Sequence, residues 1–193
     1  MGDADRSEAA LWSRAGQGDA DAFGGIFDLH RDRVFRHAYG LLRNRADAED
    51  AAGAAFLELW RRRSAVRSVN GSVLPWLLVS VTNVCRNLER SRRRHRRLLD
   101  ALPHGDDHPS AEETALGDLT MDAGLAAALA ALPPADAALF ALIALEDHPV
   151  AEAAAVLGIR PGAARTRLHR IRARLQRDLG QTSLAGYLEG RTI

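Results

Sequence analysis

PVAEAAAVLGIRPGAARTRLHRIRARLQR, residues Pro149 to Arg177, is the stretch that decides the fold. An Ala-rich helical pattern runs into Gly158-Ile159, and Pro161 opens a second helical pattern. Pro is tolerated at a first helical position because the N–H it lacks would have no partner there. In the second segment Ala164, Leu168, Ile171 and Leu175 keep one face, the spacing of a helix buried on one side. Arg160, Arg165, Thr166, Arg167, His169, Arg170, Arg172 and Arg174 are left as the candidate polar and basic face. Helix, tight turn with Gly, basic helix is the outline of a helix-turn-helix. Such a motif lays its second helix in the major groove of DNA. There Arg can bond guanine O6 and N7 in pairs, Thr can touch a base edge or a phosphate, and flanking Arg can hold the backbone. In an Ala-rich chain the same outline can also be ordinary core packing, so the remaining sequence has to discriminate.

Charge distribution does so. The 193 residues carry a formal net charge of only +1, yet all 26 basic residues are Arg. Absence of Lys by itself reflects composition bias. Clustering is more informative: seven Arg lie between Arg86 and Arg97, and seven between Arg160 and Arg177. From Leu98 to Ile159 there is no basic residue and there are eleven acidic ones. Two basic blocks around an acidic one predict two nucleic-acid-facing modules joined by a segment that is not.

The first module reads as four helices. Ser7 can cap a helix to Ala15, and Asp19 a long one to about Arg43, with Phe23, Ile26, Phe27, His30, Val34, Ala38, Leu41 and Leu42 inward. Asn44 reads as a stop, and Asp47 opens a third helix burying Ala51, Ala52, Ala55, Phe56, Leu59 and Trp60. Asp47, Glu49 and Asp50 suit the positive helix start whatever else they do. Arg67 to Gly71 reads as a loop, and Ser72 as the cap of a fourth helix with Pro75 in its first turn. Its buried stripe is Leu77, Val81, Val84, Cys85 and Leu88, leaving Asn83, Asn87, Arg90, Arg93, Arg94 and Arg97 on other faces. Arg runs at helix ends are often simply solvated. Here one acid, Glu89, accompanies seven Arg, which predicts phosphate contact.

Residues 100–121 read as an extended acidic linker with one helical turn around Glu112–Leu119. His104 and His108 flank Asp106 and Asp107 there, but nothing rigid would hold a metal geometry. A second small module, 122–180, starts at Asp122 with Leu125, Leu129 and Leu132 at core spacing. Pro133-Pro134 breaks it, and Leu139, Leu142, Ile143 and Leu145 continue the core into the helix-turn-helix. A short tail, 181–193, follows. The fold expected is therefore all-α: two small helical domains, 1–99 and 122–180, with a flexible acidic linker between them. One cysteine excludes a disulfide framework and a Cys-based zinc site. No membrane-length apolar run and no secretion signal is present, which predicts a cytoplasmic chain without membrane insertion. No catalytic set, metal site, phosphate loop or strand pattern is found, so a non-enzymatic protein without cofactor is expected.

These residues resemble the extracytoplasmic-function (ECF) sigma factors of bacterial RNA polymerase. Ala46-Asp-Ala-Glu-Asp50 with Phe56 and Trp60 is similar to the region-two helix that docks on the polymerase clamp. Pro75-Trp76-Leu77, Asn83 and the Arg run from Arg90 resemble the helix that melts and reads the −10 element. Ala130-Ala-Leu-Pro-Pro134, Ala151-Glu152, Leu157-Gly-Ile159 and Arg165-Thr-Arg-Leu-His-Arg170 resemble region four, which reads the −35 element. The resemblance implies binding to core RNA polymerase, at the clamp and flap regions of its large subunits, and to promoter DNA, and it allows an anti-sigma factor as a further partner. It assigns polymerase docking to Asp47, Glu49, Asp50, Phe56, Trp60 and Arg61. It assigns the −10 element to Ser68, Asn70, Trp76, Asn83, Arg86, Asn87, Arg90, Arg93 and Arg94, with Ser68 and Asn70 as candidates for capturing a flipped base. Single-stranded bases need pockets on a scaffold and cations along the backbone.

Five positions depart from the family pattern. Gly53 and Ala54 stand where a Gln-Glu pair is usual. Ala153 and Ala164 replace larger β-branched residues, and Asn87 replaces a common Asp. Two alternatives follow: a dimeric helix-turn-helix regulator acting without polymerase, and a degenerate sigma-like interaction protein.

Overall fold

Side-chain caps set the helix boundaries in the N-terminal half. The structure, a computed structural model, describes residues 7–100 and 123–179. The linker turn at Glu112–Leu119, the His104 and His108 pair, the Asp122 cap and the tail 181–193 lie outside the described residues. Ser7 caps α1 (Glu8–Gly16) by accepting the Ala10 N–H, and Asp19 caps α2 (Ala20–Leu42) by accepting that of Ala22. α2 ends at Arg43, held in the left-handed region at φ 53° with its N–H donating to Tyr39. α2 stops before Asn44, as the sequence reads, but the Asn44 side chain also accepts the Asp47 N–H and caps α3 (Arg45–Arg61), which starts two residues ahead of the Asp47 start read from sequence. An Asn oxygen suits a helix start, and only the fold shows which N–H it meets. In α4 (Leu74–Asp100) the first ladder carbonyl is that of Val73, which accepts from Leu77. Ser72 sits one residue further out and accepts the Leu74 N–H.

The C-terminal half comprises α5 (Ala123–Ala131), α6 (Pro134–Phe140), a π-helical turn at Ala141–Leu145, α7 (Val150–Val156) and α8 (Pro161–Leu179). Gly158 takes φ +65° between α7 and α8, a conformation that L side chains with a Cβ avoid. Ala153, Ala154 and Ala164 are fully buried where these two helices meet. The Ala residues noted in the sequence thus lie in the core on which α7 and α8 pack.

α2 packs against α1, α3 and α4, and α3 also packs on α4. α8 packs on α5, α6 and α7. The two bundles meet along α4, which contacts α5, α6, α7 and the π-helical turn. The apolar core is one continuous cluster from Trp12 to Leu175. Leu77, Leu78 and Val81 of α4 are fully buried, as are Leu125, Leu132, Leu139 and Leu142. No strand occurs among the described residues apart from one bridge, Val69 to Ser72.

Candidate nucleic-acid and polymerase interface

α8 divides its faces as its spacing predicts. Ala164, Leu168, Ile171 and Leu175 are buried, while Arg165, Thr166, His169 and Arg170 are exposed, with Arg160 exposed just before the helix. The Thr166 hydroxyl donates back to the Gly162 carbonyl at 3.1 Å. Three further candidates are less open than these. Arg167 pairs with Asp136 of α6 at 3.1 Å, Arg174 lies 3.7 Å from Asp178, and Arg172 is half-buried. The fully exposed part of this candidate face is thus shorter than the whole run of Arg.

The second candidate reader combines α4 with the loop before it. Asn87, Arg90 and Arg94 are exposed on α4; Arg93 pairs with Glu89 at 3.2 Å; Trp76 and Asn83 are half-buried. Leu88, Ser91, Arg92, His95 and Arg96 line a shallow basic groove on the same helix. The loop ends in a tight hairpin turn. Val69 and Ser72 exchange both backbone hydrogen bonds, at 2.8 and 3.0 Å, and the central residues have positive φ, 53° at Asn70 and 81° at Gly71. That is the Asn-Gly turn favoured where both central residues must be left-handed, a signal present in the sequence but not used there. Ser68 and Asn70 are exposed.

Two candidates of the −10 set contact the C-terminal half, Arg86 from a buried position and Asn70 from an exposed one. Arg86 is only 8% exposed and donates to the Leu132 carbonyl at 2.7 Å. Burial first, then the like charge of Arg90, lowers its pKa. The Asn70 amide donates to Glu152 of α7 at 2.7 Å. A further contact joins the halves nearby: Glu146, placed by the π-helical turn, accepts from His37 at 2.6 Å and from Arg33 at 2.9 Å. Burial raises the Glu146 pKa, but these bonds outweigh it and leave the carboxyl below its ordinary range. Spacing in the sequence carries no trace of these long-range pairings.

The candidate docking face lies on α2 and α3. Asp50, Glu49 and Arg61 are exposed, with Glu49 paired to Arg45 at 2.9 Å. Asp47 is engaged by Arg92 of α4. Phe56 is 4% exposed and set edge-on to Phe27, so it belongs to the core and meets a partner only as the wall of a groove. That groove is lined by Ala20, Phe23, Phe56, Leu57 and Trp60, with Trp60 tilted against Phe23 and Arg63 stacked over the indole. Leu57 is 50% exposed beside it, and Phe27 is exposed as well, although its spacing reads as inward. Leu57 was missed because sequence periodicity marks buried faces, not apolar residues left outside them.

Residues 123–175 match the sequence pattern of Sigma-70, region 4, and residues 26–96 that of Sigma-70 region 2. The ECF RNA polymerase sigma factor SigM of Mycobacterium tuberculosis is 31% identical over 176 residues, covering 91% of this chain and 86% of that protein. The chain belongs to the ECF sigma factors. SigE of Mycolicibacterium smegmatis, another ECF RNA polymerase sigma factor, is 37% identical over 158 residues, 80% of this chain but 60% of SigE. The chain therefore aligns with less than two thirds of that relative's length. CnrH, solved in complex with the cytosolic domain of CnrY, is similar in fold, with a TM-score of 0.57 at 24% identity over 92% of this chain and 99% of CnrH. In this ECF sigma factor the region-two match begins inside α2 and ends in α4, so α1 precedes it. The region-four match spans α5 to α8. No described helix is long and apolar enough to cross a membrane, and no group of His, Cys, Asp or Glu among the described residues could hold a metal ion.

Proposed function

We propose that this ECF sigma factor is a transcription initiation factor that brings core RNA polymerase to promoters, reads the −35 element with α8 and the −10 element with α4 and its preceding loop, and helps melt the DNA. The observation that carries this reading is the pair of exposed basic surfaces on separate helix bundles: Arg165, Thr166, His169 and Arg170 on α8, and Asn87, Arg90 and Arg94 on α4. Arg and Thr on a groove helix supply base contacts, and the remaining Arg supply phosphate contacts. The aromatic groove between α2 and α3, with exposed Leu57, is the polymerase-docking surface in this reading. The protein acts in the cytoplasm and performs no catalysis of its own. Because Asn70 and Arg86 are engaged by the C-terminal half, reading the −10 element requires the two halves to part.

In vitro transcription with core polymerase, the purified chain and genomic DNA fragments of the source organism tests the reading. Start sites that appear only with the chain present are the expected result. Operator binding with no effect on polymerase would overturn it in favour of a free-standing regulator.

A further inference from the structure

α1 precedes the region-two match and carries none of the candidate reader residues, yet its side chains hold both ends of the hairpin loop. Glu8 Oε1 accepts the Val73 N–H at 2.7 Å, where the loop enters α4, and also the His30 Nε2–H of α2 at 2.8 Å. Trp12 Nε1 donates to the Val66 carbonyl at 3.3 Å, at the other end. Between them α1 runs close over the turn: a Cβ on Gly71 would lie 3.7 Å from that of Ala9. Farther along, a Cβ on Gly16 would lie 3.7 Å from the Arg63 carbonyl. The loop has a hydrogen-bonded turn of its own, but two residues of hairpin cannot by themselves fix its direction from the bundle.

We infer that α1 is a brace for the hairpin loop 66–73, and that Glu8 is a positioning residue that aims Asn70 and Ser68 at the −10 base. The inference rests on the reading of this loop as the base-capturing element. A base pulled from the stack must meet its partners at hydrogen-bond distance, so a loop free to swing loses discrimination before it loses fold. Glu8 suits the task because a carboxylate can accept from a backbone N–H and an imidazole N–H together. A neutral amide at the same place keeps one acceptor oxygen for Val73 and loses the charge facing His30.

The test measures open-complex yield by the holoenzyme on a promoter recovered by the transcription experiment above, relative to the same promoter with each −10 base replaced in turn. This ratio is insensitive to the fraction of active protein, so a merely less stable variant does not move it. Asn70→Ala, Glu8→Ala and Glu8→Gln are compared with the parent. In parallel, Val73 amide hydrogen exchange should quicken roughly ten- to hundredfold in Glu8→Ala, given the worth of a hydrogen bond to a charged group. The expected result is a smaller ratio at the same base in Asn70→Ala and Glu8→Ala, with partial recovery in Glu8→Gln. A reduced ratio in Asn70→Ala with an unchanged one in Glu8→Ala overturns the brace and leaves the loop as reader. An unchanged ratio in Asn70→Ala overturns the loop assignment itself, and the brace with it.

Discussion

Arg165 and Gly53 show how differently single residues answer to the same sequence. Arg165 is exposed at the front of α8, with its inward neighbour Ala164 buried, so it can reach a base edge without disturbing the core. Arg165→Ala is expected to cost about 1–3 kcal/mol at the upstream element and to relax specificity there. Equal weakening on every upstream sequence, measured by competition binding of the holoenzyme, would mean that Arg165 holds only phosphate. Gly53 lies within α3 and is exposed, and a Cβ there would meet nothing within 4 Å. Gly53→Ala should therefore stabilise the fold by roughly 0.5–1 kcal/mol through backbone entropy alone. Chemical denaturation reads this directly, and an unchanged midpoint contradicts it. Cys85 needs no functional reading, since burial pushes its thiol up to about 12 and keeps it unreactive at neutral pH.

At the scale of elements, the helices were legible because periodicity and caps are local. The seam of α8 and the caps Ser7 and Asp19 stand where the sequence puts them. The starts of α3 and α4 differ from the sequence reading, with Asn44 instead of Asp47 as the cap of α3 and Ser72 one residue outside α4, because a polar cap is judged by which N–H it meets, and that depends on the path of the neighbouring chain. The α2–α3 groove is an element-scale feature in the same sense. Phe56 from one helix and Phe23 from the other make its walls, and Leu57 is left half exposed at its edge because no third helix among the described residues covers it. Leu57→Asp should leave folding within about 0.5 kcal/mol, as surface substitutions usually do. It should also reduce affinity for core polymerase, because an apolar anchor in a desolvated contact is costly to replace with a charge. Unchanged affinity in a polymerase pull-down titration would move the docking face elsewhere.

At the scale of the whole molecule, the contact between the halves becomes the variable. Glu146 accepts from Arg33 and His37, and its carboxyl is held below the ordinary range, so the ionised form is the one that joins the halves. A depressed carboxylate contributes stability that is present above its ordinary pKa, near 4.5, and is lost as pH falls through its lowered value. Glu146→Ala, at neutral pH, should lengthen the molecule in small-angle scattering and raise binding to −10 single strand by releasing Asn70 and Arg86. The parent chain should open in the same way as it is acidified below that range, and the change between neutral and acidic pH should be smaller in the variant. Equal dimensions for parent and variant at neutral pH would show that apolar packing along α4 alone keeps the halves together.

The sequence by itself determined the all-α class, the helix-turn-helix and the two basic blocks, because each depends on residues a few positions apart on one helix. It left open which of those basic residues are free. Arg86 and Arg167 look like their exposed neighbours in the sequence, and only the approach of Leu132 buries the one and that of Asp136 pairs the other. The bracing of the hairpin by Glu8 and the joining of the halves by Glu146 link residues 65 and 109 positions apart. Such pairs leave no periodic signal, so tertiary structure alone decided them.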